Sequence, residues 1–254
     1  MPGAVKRIGI GLGKDAKKVL ANVKSFSQKG IEIVCYCRPG TFNSLETQGI
    51  HLAESANPEQ NLIADLMARR IQAATRGTLP ANATLRALKQ ATGVDHLERI
   101  VLLETADEKR FLLAPVGVDE GWTPKEKLEF IKKGKILAKK FGLPEKVCVL
   151  SGGRLGDIGR HQRVDASMAD AELVARLGNA THYEILIEDA VQDCGLIIAP
   201  DGISGNLIFR TLVFLGAGKS HGALVVNIDK IFVDTSRASP NYTNALLLAA
   251  SLLE

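Results

Sequence analysis

The sequence predicts an α/β protein with a parallel sheet, and three observations predict it. Val5 to Ile10 reads as a strand, a helix follows from about Asp15 to Ser27, and after Gly30 a second strand runs from Ile31 to Tyr36. A strand–helix–strand order builds parallel sheet. Leu196 to Ala199 is an unbroken apolar run, as a buried strand requires, and Pro200 ends it because it has no N–H to donate. Third, the polar loops follow strands directly: Asp201-Gly202-Ile203-Ser204-Gly205 follows one, and Ser151-Gly152-Gly153-Arg154 follows another. A helix N-terminus at the end of a buried strand presents free N–H groups and favours an anion. The plain alternative is an ordinary strand-to-helix crossover.

In order along the chain, Gly9, Gly11 and Gly13 spell GxGxG and miss the third glycine of the dinucleotide fingerprint. Lys14 is followed by Asp15, so no P-loop forms either, and a tight turn with close helix packing is the reading. Asn57-Pro58-Glu59-Gln60 opens a helix, with proline at N1 and glutamine at N3. Its stripe of Leu62, Ile63, Leu66, Met67 and Ile71 extends it to Gly77, placing Arg76-Gly77-Thr78 at a helix end. Another helix spans about Asn82 to Thr92. Ile100 to Leu103 and Arg110 to Ala114 form a strand pair around Thr105-Ala106-Asp107-Glu108.

Pro115 to Trp122 is a loop carrying Asp119 and Glu120, and Thr123-Pro124-Lys125-Glu126 is a capping box for the next helix. Lys146 to Leu150 is a strand. The loop after it holds Gly152, Gly153, Gly156 and Gly159 with Arg154, Arg160 and Arg163 close by. Backbone amides and fork-shaped guanidinium groups suit phosphate or carboxylate oxygens. A solvated surface loop is the competing reading. A helix from Asp165 to Leu177 takes Asp165 or Ser167 as its cap, and Tyr183 to Ile187 is a short strand. Asn206 is the expected N-cap of a helix from Leu207 to Leu215, with Gly202 and Gly205 supplying backbone angles that other residues resist. Gly216-Ala217-Gly218-Lys219-Ser220 follows a helix and lacks the first P-loop glycine, so it reads as a C-cap. Strands at Ala223–Ile228 and Lys230–Val233 precede Thr235-Ser236-Arg237 and an apolar last helix.

Composition narrows the classes. With 254 residues, 46% apolar and 24% charged, the chain is ordinary globular protein, long enough for one large domain or two small ones. The net charge of +4 is spread out, aromatics are 5%, and no basic stretch interleaves them, so no nucleic-acid surface is expected. No apolar stretch reaches the length of a membrane span or a signal peptide. Cys35, Cys37, Cys148 and Cys194 form no CxxC, and the histidines show no ligand spacing, so no metal site is expected. Buried reduced thiols, and with them a cytoplasmic location, are the reading.

The stretch Leu196 to Asn206, followed by Phe209-Arg210, resembles the phosphate acetyl- and butyryltransferases. Asp234-Thr235-Ser236-Arg237-Ala238-Ser239 is similar to that family's late threonine–serine–arginine segment, and Val147 to Ser151 to its central strand. More closely, Val118 to Thr123, Leu150 to Arg154 and Ile198 to Asn206 resemble the MtxX group. This group, also called methanogenesis marker protein four, is named as a methyltransferase subunit of methanogenic archaea. The resemblance implies a phosphate acyltransferase-like fold of two α/β/α domains with mainly parallel sheets and an interdomain cleft. The first domain would span residues 1–118 plus 230–254 and the second 119–229, hinged near Asp119. Dimerisation through the second domain is also implied.

Carried over residue by residue, Ser236 and Arg237 would hold a phosphate or acyl-phosphate oxygen, helped by Thr235, and Asn206 with the Ser204-Gly205 amides would form the opposite wall. Arg76 would be a phosphate-binding residue of the first domain. Ser151, Gly152, Gly153 and Arg154 join as substrate contacts. One departure stands out: the acyltransferases carry a carboxylate soon after the arginine, and Ser239-Pro240-Asn241-Tyr242-Thr243 has none. Asp201 or Asp119 would have to replace it as general base toward a thiol. Two readings follow. One is a transferase acting on a phosphorylated, acyl or methyl-carrying anion, with coenzyme A or a related thiol coenzyme as its cofactor. The other is a non-catalytic subunit that binds a methyltransferase or corrinoid protein. A decarboxylating dehydrogenase is set aside, because neither a nicotinamide fingerprint nor clustered aspartates occur.

Overall fold

Strands and helices alternate along most of the computed structural model, which describes residues 5–42, 47–237, 239 and 241–253. The order begins β1 (Lys6–Gly11), α1 (Ala16–Ser25), β2 (Ile31–Cys37), β3 (His51–Glu54), α2 (Pro58–Met67), β4 (Ala73–Thr75) and α3 (Ala81–Thr92). It continues β5 (Arg99–Glu104), β6 (Arg110–Ala114), α4 (Pro124–Lys140), β7 (Val147–Val149), α5 (Gln162–Gly178), β8 (Thr181–His182), α6 (Ile187–Asp193), β9 (Leu196–Ile198) and α7 (Gly202–Arg210). A π-helical stretch, Thr211–Leu215, extends α7, and β10 (Lys219–Val225), β11 (Ile231–Asp234) and α8 (Thr243–Ser251) complete the order.

The chain forms two compact units, Met1–Asp95 with His221–Glu254, and His96–Ser220. In the first, the strand order is β3-β2-β1-β4-β11-β10, parallel except that β10 runs antiparallel to β11. In the second it is β5-β6-β9-β7-β8, parallel except for the β5–β6 hairpin. The unit boundaries fall earlier than the 118/119 and 229/230 positions read from sequence. The reason is register: β6 pairs with β9 through Leu112↔Leu196, Leu113↔Ile197 and Ala114↔Ile198, which ties the hairpin to the second unit. Both sheets bury apolar strands, with Ile8, Ile10, Cys35, Leu113, Ile197, Ile198 and Phe232 fully hidden.

Several local expectations change. The helix opened by Asn57 stops at Met67, and Arg69 takes a left-handed conformation. Ala73–Thr75 is instead a strand between β1 and β11, so Arg76-Gly77-Thr78 follows a strand end. The short strand is at Thr181–His182, and Ile187–Asp193 is helical. α5 is capped by His161, whose Nδ1 accepts from the Arg163 amide at 3.2 Å. The segment 216–220 leads into β10.

The cap of α7 is Asp201, whose Oδ1 accepts from the Ser204 amide at 2.7 Å. Asn206 therefore lies inside the helix, about one turn past its actual start. Gly202 and Gly205 are helical, and their reason is close approach. A Cβ on Gly202 would drive into the Gly117 carbonyl, and one on Gly205 into the Pro115 carbonyl. Two cysteines also depart from the reduced state. Cys148 of β7 and Cys194, just before β9, are joined as a disulfide with Cα atoms 6.0 Å apart. Adjacent strands bring together residues 46 apart in sequence. Cys35 and Cys37 stay buried and free, so the thiol basis for a cytoplasmic location rests on these two. Among the described residues, no helix is long and apolar enough to cross a membrane.

Candidate functional site

Both units gather polar side chains where their parallel strands end, the usual place for ligands in open α/β sheets. In the first unit, β4 and β11 lie side by side, with Val233 opposite Thr75. The next residues are thus Arg76 on one strand and Asp234-Thr235-Ser236-Arg237 on the other. Arg76 is buried, and its Nε donates to Asp234 Oδ1, its Nη1 to the Leu79 carbonyl at 2.8 Å, and its Nη2 to the Thr235 carbonyl. Thr235 is buried too, and its hydroxyl donates to the Gly77 carbonyl at 2.9 Å.

Tyr242 completes the brace. It is fully buried, and its hydroxyl donates to the Ser236 and Arg237 carbonyls, each at 3.2 Å. Burial pushes the phenol above its ordinary value, reinforced by Asp15 and opposed by Arg76. Tyr242 is therefore a neutral donor, standing in the stretch where the acyltransferases carry their carboxylate. The outcome is a segment whose backbone is held from within while Arg237 is exposed. The glycine turn after β1 packs on the same loops, with the Gly13 amide donating to Thr78 Oγ1 at 2.9 Å.

In the second unit, the loop 115–121 and the first turn of α7 form one assembly. Glu120 is 1% exposed and accepts from Arg99 Nε at 2.5 Å, the Arg99 amide at 3.1 Å and the Gly117 amide at 3.2 Å. Burial pushes its carboxyl above the ordinary value, against the pull of Arg99. The Glu120 carbonyl accepts from the Gly202 amide at 3.0 Å, and Asn206 Nδ2 donates to the Val116 carbonyl at 2.9 Å. Asp119 is exposed, with its Oδ1 3.3 Å from Arg99 Nη2.

Lys127, on the first turns of α4, is buried with its ammonium 3.7 Å from Asp170 of α5. Burial draws it below the ordinary lysine value, while Asp170 and Asp201 pull it back up. Ser151, directly after β7, is buried, and its hydroxyl lies 2.8 Å from His182 Nε2. Gly152 donates to Ser167 Oγ at 2.9 Å, Gly153 is buried, and Arg154 is exposed with its amide on Asp157.

The structure thus groups Arg76, Thr235, Ser236 and Arg237 in the first unit, and Asp119, Ser151–Arg154, Asp201, Ser204, Gly205 and Asn206 in the second. Glu120, Lys127, His182 and Tyr242 were missed as site residues. The Glu120 and Lys127 signals were available, since a charged residue beside a capping box is unremarkable only when exposed. His182 and Tyr242 gave none, because their partners are distant in sequence. Among the described residues, no group of three His, Cys, Asp or Glu is placed to hold a metal ion.

No family model matches the chain. It is 18% identical to the crystal structure of a branched-chain phosphotransacylase from Enterococcus faecalis, with a TM-score of 0.74 over 98% of this chain and 100% of that one. The likeness shows a phosphotransacylase fold. The chain is 50% identical over 208 residues to "Putative methyltransferase mtx subunit X" of Methanosarcina acetivorans, covering 80% of this chain and 74% of the relative. It is 44% identical over 253 residues to the protein of the same name in Methanosarcina barkeri, covering 97% of this chain and 93% of the relative. At that identity and coverage, the chain belongs to the family of methanogen proteins named "putative methyltransferase mtx subunit X".

Proposed function

We propose that this protein is a cytoplasmic transferase subunit that binds a small anionic substrate bearing a phosphoryl, acyl-phosphate or methyl-carrying group. Coenzyme A or a related thiol coenzyme is the second substrate. The observation that carries the reading is the braced Thr235–Ser236–Arg237 segment. Three buried groups, Arg76, Thr235 and Tyr242, fix its backbone, and a pre-set backbone lets an exposed arginine meet a phosphate without an ordering cost. Arg237 and Ser236 hold the anion, and Arg76 positions them.

In the second unit, Arg154 with the Gly153 amide, and Ser204, Gly205 and Asn206 at the head of α7, contact the substrate. Asp201 caps α7 and shares the field of Lys127, while Asp119 is the exposed carboxylate available toward a thiol. Support comes from the phosphotransacylase fold, and the relatives' names point to a methyl group as one candidate for transfer. The test is thermal stabilisation of the wild-type and Arg237→Ala chains by phosphate, acetyl phosphate, coenzyme A, coenzyme M and adenosylmethionine. Loss of the phosphate and acetyl-phosphate shifts in the variant is expected. Equal shifts in both chains would overturn the anion assignment.

A second reading is favoured by a separate observation. Ile203, Leu207 and Leu215, on α7 and its π-helical extension, are exposed. Leu207 also lines an apolar groove of about 510 Å³, together with Phe111, Ile187, Val191, Ile208 and Leu212. Such a face suits a second copy of the chain or a methyltransferase or corrinoid protein, with this chain as a binding subunit. Leu207→Glu should turn a homodimer into a monomer in light scattering; an unchanged mass would remove the homodimer.

A further inference from the structure

We propose that Ser151, His182 and Glu172 form a relay that makes the Ser151 hydroxyl a nucleophile toward an activated acyl group, a thioester or an acyl phosphate. The inference deepens the transferase reading and rests on it for the identity of the acyl donor. Its basis is a three-membered chain of side chains drawn from three elements. His182 of β8 stands opposite Val149 of β7, two residues before Ser151. The His182 ring places Nε2 2.8 Å from Ser151 Oγ and Nδ1 2.8 Å from Glu172 Oε1 on α5. A nucleophile within hydrogen-bond reach of a base that a third group orients is the signature of covalent catalysis. The Ser151 hydroxyl also donates to the Gly153 carbonyl, while the His182 ring is spent entirely on bridging serine and glutamate.

The protonation pattern follows from the partners. Glu172 Oε1 faces Nδ1 at 2.8 Å, and the tautomer with its hydrogen on Nδ1 leaves Nε2 able to receive a proton. The Ser151 hydroxyl has two acceptors at 2.8 Å, His182 Nε2 and the Gly153 carbonyl. Rotation about its Cβ–Oγ bond moves the proton from the resting carbonyl to the base. The turn also holds an unspent donor: among the described residues, the Gly153 amide meets no acceptor. It lies two residues past the nucleophile, in the same turn, as a donor that a developing oxyanion could use. Ser151 is buried while Gly152 beside it is exposed.

In the step, Ser151 Oγ bonds to the acyl carbon as the bond from that carbon to the leaving sulfur or phosphate oxygen breaks. The hydroxyl proton passes to Nε2 and on to the leaving group, while Glu172 keeps its hydrogen bond to Nδ1. Discharge reverses the path: an incoming thiol, phosphate or water gives its proton to Nε2, bonds to the acyl carbon, and Oγ regains a proton.

The experiment uses the full chain with p-nitrophenyl acetate, following the release of p-nitrophenolate and mapping the acetyl group by peptide mass spectrometry. A burst with acetyl on Ser151 is expected, absent in Ser151→Ala and slowed by about 100-fold or more in His182→Gln. Glu172→Gln should slow it less. If Ser151→Ala fails to fold, Ser151→Cys preserves the shape, and its thiol should be alkylated by iodoacetamide faster with His182 present than in the Ser151→Cys/His182→Gln double variant. No acetyl on Ser151 in the wild-type chain, or an equal rate in His182→Gln, would overturn the proposal. The probe carries no phosphate, so a burst alongside a failed phosphate shift removes the anion assignment alone, and the reverse removes the relay alone.

Discussion

Both units close the ends of their strands with a buried arginine–carboxylate pair, Arg76–Asp234 in the first and Arg99–Glu120 in the second. In the first pair the arginine is the better hidden partner, at 6% against 12% exposure; in the second it is the carboxylate, at 1% against 14%. The difference decides what each pair can organise. A buried guanidinium has donors left over and gathers carbonyls, here those of Leu79 and Thr235 on two separate loops. A buried carboxylate has only acceptors and gathers amides, here those of Arg99 and Gly117. The first pair therefore shapes a segment that leaves a second arginine, Arg237, exposed. The second shapes a platform on which α7 can sit.

The largest expected effect breaks the first pair. Arg76→Met takes the guanidinium away from Asp234 and two carbonyls, and removing one partner of a buried pair costs about 3–5 kcal/mol, readable by urea unfolding. The phosphate-dependent thermal shift should vanish with it, although Arg76 is not placed on the anion. Glu120→Ala should cost a similar amount yet leave that shift intact; losing it would show that the two regions do not act separately.

Lys127→Met asks whether the second unit carries charge at a cost to stability. Burial draws the ammonium below its ordinary value, so the unfolded chain binds that proton more tightly, and stability rises with pH up to the ordinary lysine range. The variant should remove that alkaline rise and raise stability near neutrality, read by urea unfolding across pH. A destabilised variant with the rise unchanged would refute it. Tyr242→Phe removes one hydroxyl and should cost about 1 kcal/mol, with a weaker phosphate shift. Arg237→Ala, exposed, should move stability by no more than about 0.5 kcal/mol while still removing the phosphate shift. That separation of stability from binding most directly sharpens the contrast with Arg76.

Much of the second unit was readable from local chemistry. The capping box at Thr123 formed as expected, with the Glu126 amide on Thr123 Oγ1 and the Glu126 carboxylate on the Thr123 amide. The β5–β6 hairpin and the apolar strand before Pro200 were equally legible. The short β4 was not, because Ala73-Ala74-Thr75 has no branched apolar pattern and follows a helical stripe without an obvious break. The α7 cap was misplaced for a related reason: Asp201 and Asn206 are both good caps, and helical propensity cannot choose between them. The choice is made by Gly202 and Gly205, which must press against the Gly117 and Pro115 carbonyls.

The candidate site was legible as residue types and much less so as roles. Arg237 is readable as an exposed arginine, but Arg76 reads the same way until β4 and β11 are seen side by side. In the sequence Ser151 stands out by the glycines that follow it, whereas His182 has no sequence neighbour to give it meaning.

By itself the sequence determined the α/β class, the caps and hairpin set by local hydrogen bonding, and the polar turns that follow buried strands. Only the tertiary structure decided which charges are buried and paired, that Cys148 meets Cys194, and that Ser151, His182 and Glu172 form one chain of contacts. The physical reason is range. Propensity and periodicity act over a few residues, while burial and side-chain pairing depend on strands whose neighbours in the sheet are far away in the chain.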